Sequence, residues 1–162
     1  MILYHGSSIV VDKPLISKSR DSVDFGRGFY TTDIKSQAIR WTERLTLLGK
    51  IGYVSKYEID NSVFKNPNIR VKNFENYDRE WLRYVVACRR KEEVPFYDII
   101  IGSMANDRVY NAIELYMSDL ISEEEALKRL SFPIENRQIC FRNQEVIDKY
   151  LVYKGCDEYV SR

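Results

Sequence analysis

The sequence predicts an α+β domain. Short apolar runs end in glycine or in polar residues, as strands buried inside a sheet do. Longer segments carry apolar residues three or four positions apart, the spacing of helices with one buried face. The two kinds follow one another irregularly through short connections, without the regular strand–helix repeat of a parallel α/β fold. At 162 residues the chain suits one domain, 1–162, with interior enough for a core unaided by metal or disulfide.

Met1 to His5 reads as a short buried strand, followed by a polar loop that carries Pro14 and the run 17–22. Phe29 to Thr31 is too brief for periodicity to decide. Ser36 to Leu48 predicts a helix with Ala38, Trp41, Leu45 and Leu48 on one face and Gly49 at its C-terminal cap. Tyr53, Ser55, Tyr57 and Ile59 alternate with Val54, Lys56 and Glu58, which suggests a strand. Asp78 to Arg90 predicts a second helix with Trp81, Tyr84, Val85 and Cys88 as its apolar stripe, and 98–102 a buried strand ended by Gly102. Asn106 or Asp107 can cap a third helix bearing Val109, Ala112, Ile113 and Tyr116, and Ser122-x-x-Glu125 is a capping box for a fourth. Pro133 interrupts; Gln138 to Phe141 then reads as a strand, and Gln144 to Leu151 as a last helix.

Composition excludes several classes. Hydrophobic residues make up 44% and charged residues 30%, ordinary for a globular protein. Lys plus Arg total 25 against 24 Asp plus Glu, so no global field draws the chain to nucleic acid or to anionic lipid. Cys88, Cys140 and Cys156 are widely spaced and form no metal-binding pattern, which points to buried reduced thiols and no metal site. Without a signal-peptide pattern at Met1 or an apolar run of membrane length, a cytoplasmic protein with no membrane partner is expected. Arg89-Arg90-Lys91 and Glu123-Glu124-Glu125 read as charge matched to helix ends.

Two motifs carry the functional signal. Leu3-Tyr4-His5-Gly6-Ser7 holds the single histidine of the chain, and Asp24-Phe25-Gly26-Arg27-Gly28-Phe29-Tyr30 sets glycines about a basic residue before presenting a tyrosine. Together they resemble the nicotinamide-binding half of the ADP-ribosyltransferase superfamily, in its His-Tyr branch of poly-ADP-ribose polymerases and diphtheria-toxin catalytic domains. Closer still is the resemblance to an uncharacterised bacterial family of toxin-like domains, which shares His-Gly-Ser, Asp-Phe-Gly-x-Gly-Phe-Tyr and a later Ile-Gly-x-x-Ala-Asn-Asp, here Ile101 to Asp107. The resemblance spans residues 3 to 141. It implies a split β-sheet core with surrounding helices, NAD as substrate, and transfer of a single ADP-ribose to a macromolecular acceptor, protein or nucleic acid. It also implies a toxin-like effector with a cognate antitoxin protein.

By that resemblance His5, Tyr30 and Gln138 form the catalytic set, and His5, Gly6, Ser7, Gly28, Tyr30 and Trp41 bind the cofactor-substrate. His5 would donate to a ribose hydroxyl of the adenosine half, Gly6 would pair its backbone with the carboxamide, and Ser7 would add a hydroxyl contact. Gly26 and Gly28 would permit the turn that presents Tyr30 for stacking. Trp41 is a candidate for the opposite wall, although its place on an apolar helical stripe equally suits core packing. The chemistry asks for orientation and for stabilisation of an oxocarbenium-like transition state rather than for covalent work.

The third position departs from the commoner pattern, because Gln138 stands where those enzymes carry glutamate. A glutamine carbonyl can accept from the ribose 2′-hydroxyl but cannot act as a base. Chain elongation is thereby disfavoured, and Asn136, two residues earlier, disfavours arginine as acceptor. On this reading Gln138→Glu should retain or raise NAD cleavage. Two alternatives stay open: a module that binds NAD or ADP-ribose without turnover, and an NAD glycohydrolase. The RNA 2′-phosphotransferases need more histidine than the one present here. Should Gln138 fail, Glu135 or Asp107 would be the next catalytic candidates.

Overall fold

Local sequence accounts for most of the elements. The chain runs β1 (Ile2–Ser7), β2 (Phe29–Thr31), α1 (Lys35–Leu47), β3 (Gly52–Glu58), β4 (Val71–Asn73), α2 (Arg79–Arg89), β5 (Ile99–Gly102), α3 (Asp107–Met117), α4 (Glu123–Leu130), β6 (Gln138–Phe141), α5 (Gln144–Tyr150) and β7 (Val152–Tyr159). These come from a computed structural model, which describes residues 1–105, 107–130 and 136–160. The cap at Asn106, the interruption at Pro133 and Glu135 lie outside the described residues, as does the side chain of Asp107.

Side-chain caps explain where α2, α4 and α5 start. Asp78 accepts from the Trp81 amide at 2.9 Å, Ser122 from the Glu125 amide at 3.2 Å, and Asn143 from the Glu145 amide at 3.0 Å. Each satisfies an N–H that the helix itself leaves without a partner. Gly49, at φ +70°, follows α1 in the left-handed conformation that suits glycine.

Two sheets result, consistent with the α+β class. An antiparallel sheet is ordered β1-β3-β7, and a mixed sheet is ordered β2-β6-β5-β4, with β4 and β5 parallel. They meet at one isolated bridge, where Tyr4 and Thr32 exchange backbone hydrogen bonds of 2.8 and 2.9 Å. The mixed sheet is covered on both faces. Ile99, Ile101, Ile139 and Phe141 join Leu3, Tyr57 and Ile147 in one core. Ile100 and Cys140 face the other way into a core with Trp81, Leu82 and Val85 of α2, Ile113 of α3 and Leu130 of α4. That strict alternation is the pleat of a strand buried on both sides.

Several expectations need correction. The sequence pattern does not announce the strands β4 and β7; β4 has three residues, and β7 breaks its pattern with Gly155 and three charged residues. β7 is an edge strand held by register with β3, whose ladder shifts between Lys56 and Tyr57. The expected alternation of burial is also lost, because β3 is the central strand of its sheet and Val54, Ser55 and Tyr57 are all buried. On α1 the buried residues are Gln37, Ala38 and Thr42, while Leu48 is 66% exposed. The α2 stripe is buried as expected, with Leu82 and Val86 added. Cys88 and Cys140 are buried free thiols, but Cys156 on β7 is only partly so. Among the described residues no helix is long and apolar enough to cross a membrane.

Candidate functional site

The bridge between the sheets brings the two motifs together. His5 lies on β1 of one sheet; Tyr30 on β2 and Gln138 at the start of β6 belong to the other, where Tyr30 pairs with Cys140 and Gly102 with Gln138. All three line one cleft of ≈ 660 Å³, together with Trp41 of α1 and Met104. The cleft is also lined by Arg20 and Asp24 from the loop before β2, Arg89 of α2, and Tyr110 and Glu114 of α3.

The tautomer of His5 follows from its partner. Nδ1 lies 2.7 Å from the carbonyl oxygen of Tyr30, which can only accept, so Nδ1 carries the proton and Nε2 presents a lone pair. Burial pushes the imidazole pKa below its ordinary value near 6.5, against the backbone hydrogen bond, which raises it; the neutral form is favoured. A ring in this state accepts a hydroxyl proton through Nε2, the reverse of the donating role expected from sequence.

The Tyr30 hydroxyl is occupied by the turn it follows. It accepts from the Phe25 amide at 2.9 Å and donates to the Gly26 carbonyl at 2.7 Å, while Gly26 turns the chain at φ +72°. Burial, with the adjacent Cys140 thiol, pushes its pKa well above the usual tyrosine range. The aromatic face is therefore what this residue offers the cleft. Cys140 itself is pushed up to about 12 and Cys88 to about 11, chiefly by burial, so neither is a nucleophile at neutral pH.

Gln138 is 3% exposed and tied to groups that can only accept. Its Nε2 donates to Asp24 Oδ2 at 3.1 Å and lies 3.4 Å from the Ser103 carbonyl. Asp24 in turn takes the Ala105 amide at 3.0 Å and the Arg89 guanidinium at 2.6 and 3.2 Å. Arg89 and Asp24 are each 10% exposed at the side chain. Arg89, the last residue of α2, thus belongs to the site as well as to a helix end, and Asp24 is the motif residue to which the resemblance gives no role. The ion pair joins residues 65 apart, beyond what local spacing signals; only a charged residue inside an otherwise apolar motif hints at it. A carboxylate at position 138 would meet Asp24 at hydrogen-bond distance, which bears against the expectation that Gln138→Glu retains or raises cleavage.

Other sequence candidates have structural duties. A Cβ on Gly6 would run into the Ala38 carbonyl oxygen, and one on Gly28 would stand 2.5 Å from Cys140 Sγ. Neither glycine lines the cleft, and neither does Ser7, whose hydroxyl donates to the Ile9 carbonyl at 2.5 Å. Trp41 does line it, half-buried, with Nε1 pointing to Met104 Sδ at 3.3 Å. The backbone beside the site is clamped: Gln37 bonds both backbone groups of Arg137, and Asn136 bonds both those of Met104 as well as the Tyr77 hydroxyl. Asn136 is therefore an anchor with its amide fully engaged. Among the described residues no group of three His, Cys, Asp or Glu could hold a metal ion.

A cleft of this kind, walled by aromatic rings and closed by a buried Asp–Arg–Gln network at the junction of two sheets, is a small-molecule site in form. Residues 1–153 match a family described as Protein of unknown function (DUF3990), and the chain belongs to that family. No curated protein and no solved structure matches it.

Proposed function

We propose that the protein is an NAD-dependent mono-ADP-ribosyltransferase, a toxin-like effector that modifies a macromolecular target and is neutralised by a cognate antitoxin. The observation that carries the reading is that His5, Tyr30 and Gln138, distant in sequence, line one cleft. They occupy the second half of β1, the strand after the glycine turn, and the start of a late strand. Two abutting sheets of three and four strands agree with the split core of that superfamily. On this reading the Tyr30 ring stacks on the nicotinamide, Trp41 walls the other side, and His5 Nε2 accepts from a ribose hydroxyl. The Gln138 carbonyl takes the 2′-hydroxyl of the nicotinamide ribose. Nicotinamide leaves with the bonding pair, and the acceptor attacks the ribose carbon so exposed.

Calorimetry of NAD on the wild type and on Tyr30→Ala tests binding; saturable binding that this variant leaves untouched contradicts the stacking role. Nicotinamide release with and without cell lysate then separates transfer from hydrolysis. Release only with lysate supports the transferase, and release in buffer alone identifies a glycohydrolase. A second reading, a module that holds NAD or ADP-ribose without turnover, is favoured by one observation: the third position is a neutral amide already tied to Asp24. Binding without release in either condition would establish it.

A further inference from the structure

We infer that Asp24, braced by Arg89, is the positioning residue that aims the Gln138 carbonyl into the cleft and makes an amide, not a carboxylate, the required group there. The inference rests on the reading of the cleft as an NAD site. Its physical basis is donor and acceptor arithmetic. Asp24 Oδ2 and the Ser103 carbonyl, 3.1 and 3.4 Å from one branch of the Gln138 amide, are both acceptors. Only N–H can face them, so the branch left for the cleft is the carbonyl oxygen. Asp24 is itself held from two further sides, by the Ala105 amide and by Arg89, so it has no freedom to turn away. Arg89 is backed in turn by the Tyr110 ring, 4.8 Å from its guanidinium carbon, and by Glu114 at 3.6 Å.

A glutamate at 138 would set two carboxylates at about 3 Å, an arrangement that demands a shared proton or a displaced side chain. Displacement removes the preorganised acceptor, and a shared proton keeps it only while a carboxylic acid is held protonated at neutral pH. Aspartate and glutamine at these two positions therefore act as a matched pair. An asparagine at 24 would relieve the contact with a glutamate at 138, because its amide nitrogen could donate where Asp24 can only accept, at the cost of facing the Ala105 N–H that shares Oδ2.

The test is a cycle on the full-length chain with Gln138→Glu, Asp24→Asn and the double variant. Each is read by thermal melting, by calorimetry with NAD, and by nicotinamide release. Gln138→Glu should melt lower and lose turnover on the order of 10²-fold or more while NAD affinity changes little. The double variant should recover both melting temperature and turnover relative to the sum of the single changes. The inference is overturned if Gln138→Glu behaves as wild type, or if it costs as much on top of Asp24→Asn as it does alone. NMR of the wild type gives an arm independent of the variants' folding. The Gln138 side-chain amide protons should be protected from solvent exchange, and rapid exchange would contradict the bond to Asp24. If wild-type NAD binding and cleavage are absent while the melting cycle still couples the two positions, the function proposed above falls. Asp24 then stands only as the residue that orients the amide.

Discussion

The two walls of the cleft are built by different physics. On the β1 side, Gly6, the residue after His5, lets α1 come so close that a single added carbon would enter the Ala38 carbonyl. That wall is set by shape. On the opposite side, the 24–30 turn and the start of β6 are set by polar bonds: Asp24 to Arg89, Ala105 and Gln138, and Tyr30 back to Phe25 and Gly26. The lesson is that two motifs that look alike, each a glycine beside an aromatic or imidazole ring, fail in different ways. A packed wall yields to added volume, whereas a hydrogen-bonded wall yields to a single missing or wrong charge.

The largest effect should come from the polar wall. Asp24→Ala strands a guanidinium that is 10% exposed, and removal of one partner of such a pair costs about 3–5 kcal/mol. Denaturant unfolding measures it, and a loss below about 1 kcal/mol would show that solvent reaches Arg89 freely. Next comes the packed wall. Gly6→Ala drives Cβ into the Ala38 backbone oxygen, so α1 must shift; about 1–3 kcal/mol should be lost, with weaker NAD binding as Trp41 moves. Full retention of stability would mean that α1 is not held by shape. Smaller again is Tyr30→Phe, which leaves the Phe25 N–H and Gly26 C=O without their shared partner. About 1–2 kcal/mol should go, yet NAD affinity should persist because the ring remains. Equal losses of affinity in Tyr30→Phe and Tyr30→Ala would refute a purely aromatic role.

The mildest prediction uses the sole histidine. Burial lowers the folded pKa of His5 below 6.5, so below that pH the unfolded chain takes up the proton more readily than the folded one. Its contribution to stability is complete above about pH 6.5 and declines as pH falls toward the folded value. Melting temperature should drop with acid across this window, and His5→Gln should flatten that part of the profile. An identical slope in the variant would assign the dependence to carboxylates.

Legibility in the sequence divides along similar lines. The capped helix at Asp78 and the runs Ile99–Gly102 and Gln138–Phe141 can be read directly, because periodicity and caps are local signals. β7 cannot: an edge strand needs only a partner's backbone, and its own side chains carry little pattern. At the site, motif order is enough to bring His5, Tyr30 and Gln138 to one cleft. The roles of Gly6 and Gly28 become legible only once α1 and β6 are seen against them. Arg89 is hidden for a related reason, since its partner lies 65 residues earlier and both lie among residues that read plausibly as helix end and turn. Sequence spacing indicates which residues share an element; it does not indicate which elements touch.

The Tyr4–Thr32 bridge has a mechanical consequence. It is the isolated backbone link between the two sheets, and His5 is the next residue beyond it, while Tyr30 and Gln138 ride on the opposite plate. The strands that carry His5 and Tyr30 are therefore tied together within two residues of both rings, so backbone hydrogen bonds as well as side-chain packing fix how far apart the rings stand.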